Sequence, residues 1–239
     1  MRRSSRSDLS KDLDLKRPRI VASLGRNALK DVNSLEGAEV VELRLDLFED
    51  HVEDPLDVAR RIRDSTSLPI IVTNRMNSEG GRFLGGEQER IQILMRCSDC
   101  ADMIDIEMRA PLLHEVLRIA EKPVIISYHD FSGMPKSGEM RAILEKIKGA
   151  GADIAKIAVT PSNLKDNLEI LSFLLEADMP LCMIAMGEVG RHIRAVAPIY
   201  GSVLTYGYVS DATAPGQMSV RDLRKSLRLL DPSFGKADP

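Results

Sequence analysis

Eight short runs rich in β-branched and other apolar residues recur along the chain: RIVASLG, VVELRLD, PIIVTNR, MIDIEM, PVIISYHD, DIAKIAVT, PLCMIAMG and SVLTYGY. Between most of them lie stretches whose apolar positions repeat at three- and four-residue intervals, such as DPLDVARRIRDS, SGEMRAILEKIKGAG and NLKDNLEILSFLLEA. The runs predict strands, and the stretches predict helices, several opened by Ser, Asp or Asn and some closed by Gly. The segment 28–36, between the first two runs, carries the weakest helical pattern. Strand–helix alternation implies parallel strands joined by right-handed crossovers, and eight units is the number at which such a sheet closes. The expected fold is therefore an α/β (β/α)8 TIM barrel. An open doubly wound sheet is the alternative, but RIVASLG is not followed by the Gly-rich turn of a dinucleotide site. Residues 1–16 are almost all charged, Ser or Leu and are expected to form a flexible N-terminal tail, with 17–239 as a single barrel domain.

Barrel strands are buried on both sides, so charges within them call for a reason. In VVELRLD, alternation puts Val41, Leu43 and Leu45 on one face and Glu42, Arg44 and Asp46 on the other. The apolar face must meet the helices, which sends the charged face into the barrel. Asp105 and Glu107, Ser127 and His129, and Lys156 repeat the arrangement on three further strands. One reading is a structural ion-pair network filling the lumen. The other is an active site, because these barrels build theirs at the C-terminal strand ends. Lys156, flanked by Ile154, Ala155, Ile157 and Ala158, favours the second. Burial disfavours the ammonium form of an amine and exposes the lone pair that attacks a ketone to form a Schiff base. His129, at the end of the preceding strand, is placed to move a proton near neutral pH.

The loops add binding groups. TNRMNSEGGRFLGGEQ carries Arg75 and Glu79, which could pair with each other or with substrate hydroxyls, and four glycines suited to a lid or a mobile loop. No Gly-Lys-Ser/Thr follows to make it a phosphate cradle. Arg194, just beyond the seventh strand, could take a carboxylate in a bidentate pair. SDATAPGQMS reads as a loop over the barrel mouth, with Gln217 able to hydrogen-bond a ligand.

Composition narrows the partners. With 239 residues, a net charge of −3 and a pI near 5.9, the chain has no general basic field for nucleic acid or anionic lipid. Three cysteines, Cys97, Cys100 and Cys182, are too few for a disulfide scaffold and fit a reducing cytoplasm. No apolar run is long enough to span a bilayer, and the Arg/Ser-rich start has no apolar signal core. No set of His, Cys and carboxylates stands at recognisable metal-ligand spacing.

The order Glu42-Leu43-Arg44, Arg75 with Glu79, Ser127-Tyr128-His129-Asp130, Lys156, Met186-Gly187, Arg194 and Ala214-Pro215-Gly216-Gln217 resembles the type I 3-dehydroquinate dehydratase family, from about residue 19 to about residue 229. The resemblance implies a Schiff-base dehydration of 3-dehydroquinate to 3-dehydroshikimate in the shikimate pathway, with no metal and no cofactor. It assigns imine formation to Lys156, acid–base work to His129 and assistance to Glu79. It has Glu42, Arg44 and Arg75 contacting substrate hydroxyls and fixing the inner network, Arg194 holding the carboxylate, and Thr213 and Gln217 on the closing loop. Members often form homodimers. Thr213 stands where serine is usual, which keeps the hydroxyl, and Ile193 stands where serine often precedes the arginine. A class I aldolase would use the same barrel and imine, and a non-catalytic barrel could bind an organic anion through Arg75 and Arg194.

Overall fold

The computed structural model describes Leu15, residues 17–48 and residues 54–234. Of the tail expected at 1–16, all but Leu15 lies outside the described residues, and Leu15 packs against the apolar interior of the barrel. Eight parallel strands follow the eight runs: β1 (Arg19–Leu24), β2 (Val40–Arg44), β3 (Ile70–Thr73), β4 (Met103–Glu107), β5 (Val124–Asp130), β6 (Ile154–Val159), β7 (Leu181–Ala185) and β8 (Leu204–Tyr208). Ladders join each strand to the next from β1 to β7, and β8 pairs with β1. The remaining edge, between β7 and β8, is closed by one bridge, Leu181 to Ser202. There the Val203 N–H donates to the Leu181 carbonyl at 2.9 Å and the Met183 N–H to Ser202 Oγ at 3.0 Å. The loop expected after β8 contains a two-residue strand, β9 (Met218–Ser219), which lies parallel to β8. A run of two residues is too short for any periodicity to register in the sequence.

The crossovers are α1 (Ala28–Asp31), α2 (Pro55–Ser65), α3 (Glu87–Ser98), α4 (Leu113–Ile119), α5 (Ser137–Ala150) and α6 (Leu164–Glu176), then the one-turn helices α7 (Gly187–Gly190) and α8 (Ile193–Val196). The last helix, α9 (Val220–Leu230), follows β9. Capping explains where several begin. Asp54 accepts from the Leu56 N–H ahead of Pro55 at the first turn of α2, and Asn163 and Asp166 form a reciprocal box at α6. The weak pattern at 28–36 corresponds to a single turn followed by a 3-10 turn at Val32–Ser34.

Alternation divides the strands into two packed surfaces. Outward residues such as Ala22, Leu43, Val72, Ile104, Ile126 and Ile157 meet Ala59, Ile62, Leu94, Val116, Ile147, Ile170 and Leu223 of the helices. Inward, one residue from each strand, Val21, Val40, Ile71, Met103, Ile125, Ile154, Cys182 and Leu204, belongs to an apolar plug in which none is more than 4% exposed. Two residues further along four of these strands stand Glu42, Thr73, Asp105 and Lys156. The plug is therefore a dry base beneath a charged tier.

Candidate active site

Above that base, a cavity of about 650 Å³ is lined by all nine residues to which the resemblance gives roles: Glu42, Arg44, Arg75, Glu79, His129, Lys156, Arg194, Thr213 and Gln217; Asp46, Asp105, Glu107 and Ser127, also expected inward, are not among its lining residues. Lys156 lies within β6 and is 3% exposed. Its Nζ is 2.8 Å from Asp105 Oδ2 and 3.4 Å from Glu42 Oε1, and stands 4.2 Å from the centre of the Tyr206 ring. The expected desolvated setting is present, but the amine shares it with two carboxylates and an aromatic face.

Those carboxylates are themselves held. Glu42 accepts from Ser23 Oγ at 2.6 Å and Thr73 Oγ1 at 3.0 Å. Burial alone would raise the Asp105 carboxyl, but Arg75 and Lys156 outweigh it and keep Asp105 well below the usual carboxylate range. Arg75 donates to Asp105, Glu107 and Ser127 at 3.0, 3.0 and 2.7 Å. It does not pair with Glu79, because the register sets Thr73 beside Asp105 and so delivers the Arg75 side chain to the carboxylates of β4. Arg44 forms a two-pronged pair with Asp46, both contacts 2.8 Å. Asp46 belongs to a 3-10 turn rather than to an extension of β2, yet its carboxylate returns to the same face. Arg90 reaches in from α3 to Glu107 at 2.9 Å. Four inward carboxylates (Glu42, Asp46, Asp105, Glu107) thus meet four basic side chains (Arg44, Arg75, Arg90, Lys156), and Glu87 takes two further contacts from Arg90, at 2.7 and 3.0 Å.

At the rim the balance is looser. His129 sits near the end of β5, one pleat beyond the register position of Lys156. Glu79 Oε2 accepts the His129 backbone N–H at 2.9 Å and lies 2.9 Å from Nδ1. Burial pushes the Glu79 carboxyl up to about 7, and burial, with Arg75 and Lys156 nearby, pushes the His129 imidazole well below its ordinary value. Both directions favour neutral forms. A neutral imidazole can donate Nδ1–H to ionised Glu79 and leave the Nε2 lone pair free. Glu79 is delivered by a 3-10 turn (Asn77–Glu79) that ends at Gly80, φ +80°. A Cβ there would lie 2.3 Å from the ring of Phe131, which stacks on His129 at 6.5 Å and 18°, so the turn requires glycine.

Arg194, in α8, is also 3% exposed, but among the described residues its one side-chain partner is the Pro215 carbonyl at 3.0 Å. Its Nε is buried without a partner among the described residues, and burial pulls the guanidinium down to about 10. Among the described residues no carboxylate pairs with it. Thr213 donates through its N–H and Oγ1 to Gln217 Oε1, at 2.7 and 3.1 Å, which folds the loop after β8 on itself. Gly216, φ +68°, presses that loop onto α7, where a Cβ would fall 2.2 Å from the Gly187 carbonyl oxygen. Asn27 to Asp211 (2.7 Å) and Ser210 to Asp31 (2.8 Å) tie its other side to the region of α1.

Sequence reading missed Ser23, Thr73, Arg90, Arg109 and Tyr206. Thr73 and Tyr206 occupy inward positions that alternation identifies, whereas Arg90 comes from a helix and gives no strand signal. The Tyr206 hydroxyl is buried with no hydrogen-bond partner among the described residues. Also among the described residues, no group of three or more His, Cys, Asp or Glu could hold a metal ion, and no helix is long and apolar enough to cross a membrane.

The chain matches the family model for type I 3-dehydroquinase over residues 20–233. It is 53% identical over 220 residues to a 3-dehydroquinate dehydratase of Methanothrix thermoacetophila, covering 91% of this chain and 94% of that one. Among solved structures, it superposes on the 3-dehydroquinate dehydratase of Geobacillus kaustophilus with a TM-score of 0.83 and 27% identity, covering 92% and 93% of the two chains. It superposes on the type I enzyme of Clostridium difficile, solved with covalently modified comenic acid, with a TM-score of 0.82 and 32% identity, covering 91% and 94%.

Proposed function

The chain belongs to the type I 3-dehydroquinase family, and from that premise we propose that it works through an imine at Lys156, with His129 moving the protons. The activity is that of a 3-dehydroquinate dehydratase, a hydro-lyase of the shikimate pathway. The aldolase and anion-binding readings fall away with family membership. The observation that carries the mechanism is the setting of Lys156: a buried amine facing the cavity, 2.8 Å from Asp105, with His129 one pleat nearer the mouth on the neighbouring strand.

Lys156 passes its ammonium proton to His129 and attacks the substrate ketone as a neutral amine; His129 returns that proton to the adduct's hydroxyl, which leaves as water and gives a protonated imine. That positive charge replaces the ammonium charge between Asp105 and Glu42, so the charged tier answers the intermediate as it answered the resting lysine. His129, through Nε2, removes the adjacent proton to give an enamine, while Glu79 orients the ring through Nδ1 and stabilises the imidazolium. Enamine collapse expels the β-hydroxyl, His129 returns its proton to the leaving oxygen, and hydrolysis of the imine frees 3-dehydroshikimate and the lysine. Arg194, lacking a carboxylate of its own, takes the substrate's. Arg44, Arg75 and Glu42 meet ring hydroxyls, and Thr213 and Gln217 close the loop over the ligand. Borohydride added with 3-dehydroquinate should inactivate the enzyme and leave one reduced adduct on the peptide containing Lys156. An adduct elsewhere, or none, would overturn the assignment.

A homodimer in the cytoplasm is part of the same proposal. The free thiols Cys97, Cys100 and Cys182 fit a reducing compartment. On α6, Leu164, Leu168 and Leu175 are 68%, 65% and 70% exposed and form one stripe. Two-fold antiparallel packing of that stripe would set Lys165 at the start of one helix opposite Glu176 at the end of the other. Light scattering of Leu168→Glu should then report a monomer, and a wild-type monomer at micromolar concentration would refute the pairing.

A further inference from the structure

Behind the Glu79–His129 pair, on the side away from the cavity, stands Arg109. It lies in the loop after β4, two residues past Glu107, and is not among the residues lining the cavity. Three contacts fix it. Its Nη1 donates to the His129 backbone carbonyl at 3.3 Å, its guanidinium carbon stands 4.3 Å from the centre of the Tyr128 ring, and Nη1 is 3.7 Å from Glu79 Oε1. The last contact explains an otherwise anomalous atom. Glu79 Oε2 is committed to His129, but Oε1 is buried with no hydrogen-bond partner among the described residues. Arg109 stands outside hydrogen-bond reach of that atom but within ion-pair distance, while Arg75 acts on the same carboxylate from farther off. A residue that touches the backbone of 129, the ring of 128 and the carboxylate of 79 joins the turn carrying Glu79 to the strand carrying His129.

We propose that Arg109 is a positioning residue that closes the solvent side of the Glu79–His129 pair and sets the pH range over which the pair works as one acid–base unit. This rests on the acid–base reading given above. Other charged groups act on the same pair and would persist in any Arg109 variant. Arg75 and Glu107, from the ends of β3 and β4, face Glu79, while Arg75, Lys156, Asp105 and Arg44 face His129. Arg109 favours the ionised Glu79 that accepts the imidazole Nδ1–H hydrogen bond, in opposition to burial and to Glu107. Removing it makes Glu79 harder to ionise, so the acid limb of the rate profile moves to higher pH. Because the side chain is 49% exposed, water screens its charge and the displacement is small, about half a pH unit.

The test compares wild type with Arg109→Gln and Arg109→Lys. In Arg109→Gln, kcat should fall about threefold at pH 6 and approach wild type above pH 8, with KM little changed; Arg109→Lys should restore most of the limb. A merely structural role would lower kcat equally at every pH, and that outcome, or superimposable profiles, overturns the proposal. A second readout does not depend on turnover. The side-chain carboxyl carbon of Glu79, isotopically labelled and assigned through Glu79→Gln, should titrate about half a unit higher in Arg109→Gln than in wild type. If His129→Ala proves active and the acid–base reading fails, this titration still decides whether Arg109 governs Glu79; an unmoved midpoint overturns the proposal on its own.

Discussion

Lys156 and Arg194 are cations buried to the same depth on neighbouring sides of one cavity, and their surroundings are opposite. Lys156 touches two carboxylates and the face of Tyr206, whereas Arg194 touches a carbonyl and keeps a buried Nε with no partner among the described residues. A buried charge left without a counter-ion is costly. The protein accepts that cost at Arg194 and avoids it at Lys156. The difference separates two kinds of work. Under the proposed mechanism, the group that changes its bonding is held among carboxylates that survive the change, and the group that receives an anion is left without one. Burial alone distinguishes neither.

Replacing the two cations should therefore fail in different ways. Lys156→Ala should abolish turnover and borohydride trapping, and should also destabilise the fold by about 3–5 kcal/mol, since Asp105 and Glu42 lose their shared cation. Chemical denaturation, with mass spectra after substrate and borohydride, measures both. His129→Ala should lose about 10²–10⁴-fold in kcat yet still condense with the ketone, so that imine accumulates and is trapped. A folded variant with near-normal turnover would return His129 to the structural histidines. Arg194→Ala should raise KM about ten- to a hundredfold with kcat little changed, because it removes a charge-assisted contact worth about 1.5–3 kcal/mol. Its stability should stay within about 1 kcal/mol of wild type, as no internal carboxylate is orphaned. A collapse of kcat at constant KM would erase the contrast with Lys156.

The smallest effect concerns pH. In the folded protein the Glu79 carboxyl titrates near 7, above its ordinary 4.5, so the stability tied to this group is present below 4.5, falls between 4.5 and 7, and stays lost above. His129 acts in the opposite sense, since its depressed value favours folding as pH rises toward 6.5. Glu79→Gln retains the histidine and removes the acid. The melting temperature of the variant minus that of wild type should therefore be about 2–4 °C more positive at pH 8 than at pH 4. An unchanged difference would show that the rim carboxyl gives up nothing on burial.

Alternation within VVELRLD, MIDIEM, PVIISYHD and DIAKIAVT was enough to place Glu42, Arg44, Asp105, Glu107, His129 and Lys156 inside a barrel, because period two and apolar helices leave those side chains nowhere else to go. Pairing was not legible. Which carboxylate Arg75 meets depends on the stagger between β3 and β4, and stagger leaves no mark within either strand. Arg90 and Arg109 were invisible for a related reason, since a helix residue and a loop residue enter the site only after the chain has closed on itself. The 3-10 turn that swings Glu79 toward β5 was masked by glycines that could equally have formed a lid.

The edge between β7 and β8 gives this arrangement a direction of release. Seven edges of the cylinder are laddered, and the eighth is held by a single bridge. Arg194 and the loop carrying Thr213 and Gln217 belong to the segments on either side of that weak edge, while the charged tier is anchored across β2 to β6. Loosening the ladders from β2 to β6 would tear apart the carboxylates around Lys156, whereas a slackening of the unladdered edge would shift Arg194, the loop after β8 and the Tyr206 face and leave those carboxylates in place. Under the proposed mechanism, an opening along that edge would free the ligand's carboxylate while the carboxylates that face the imine stay assembled.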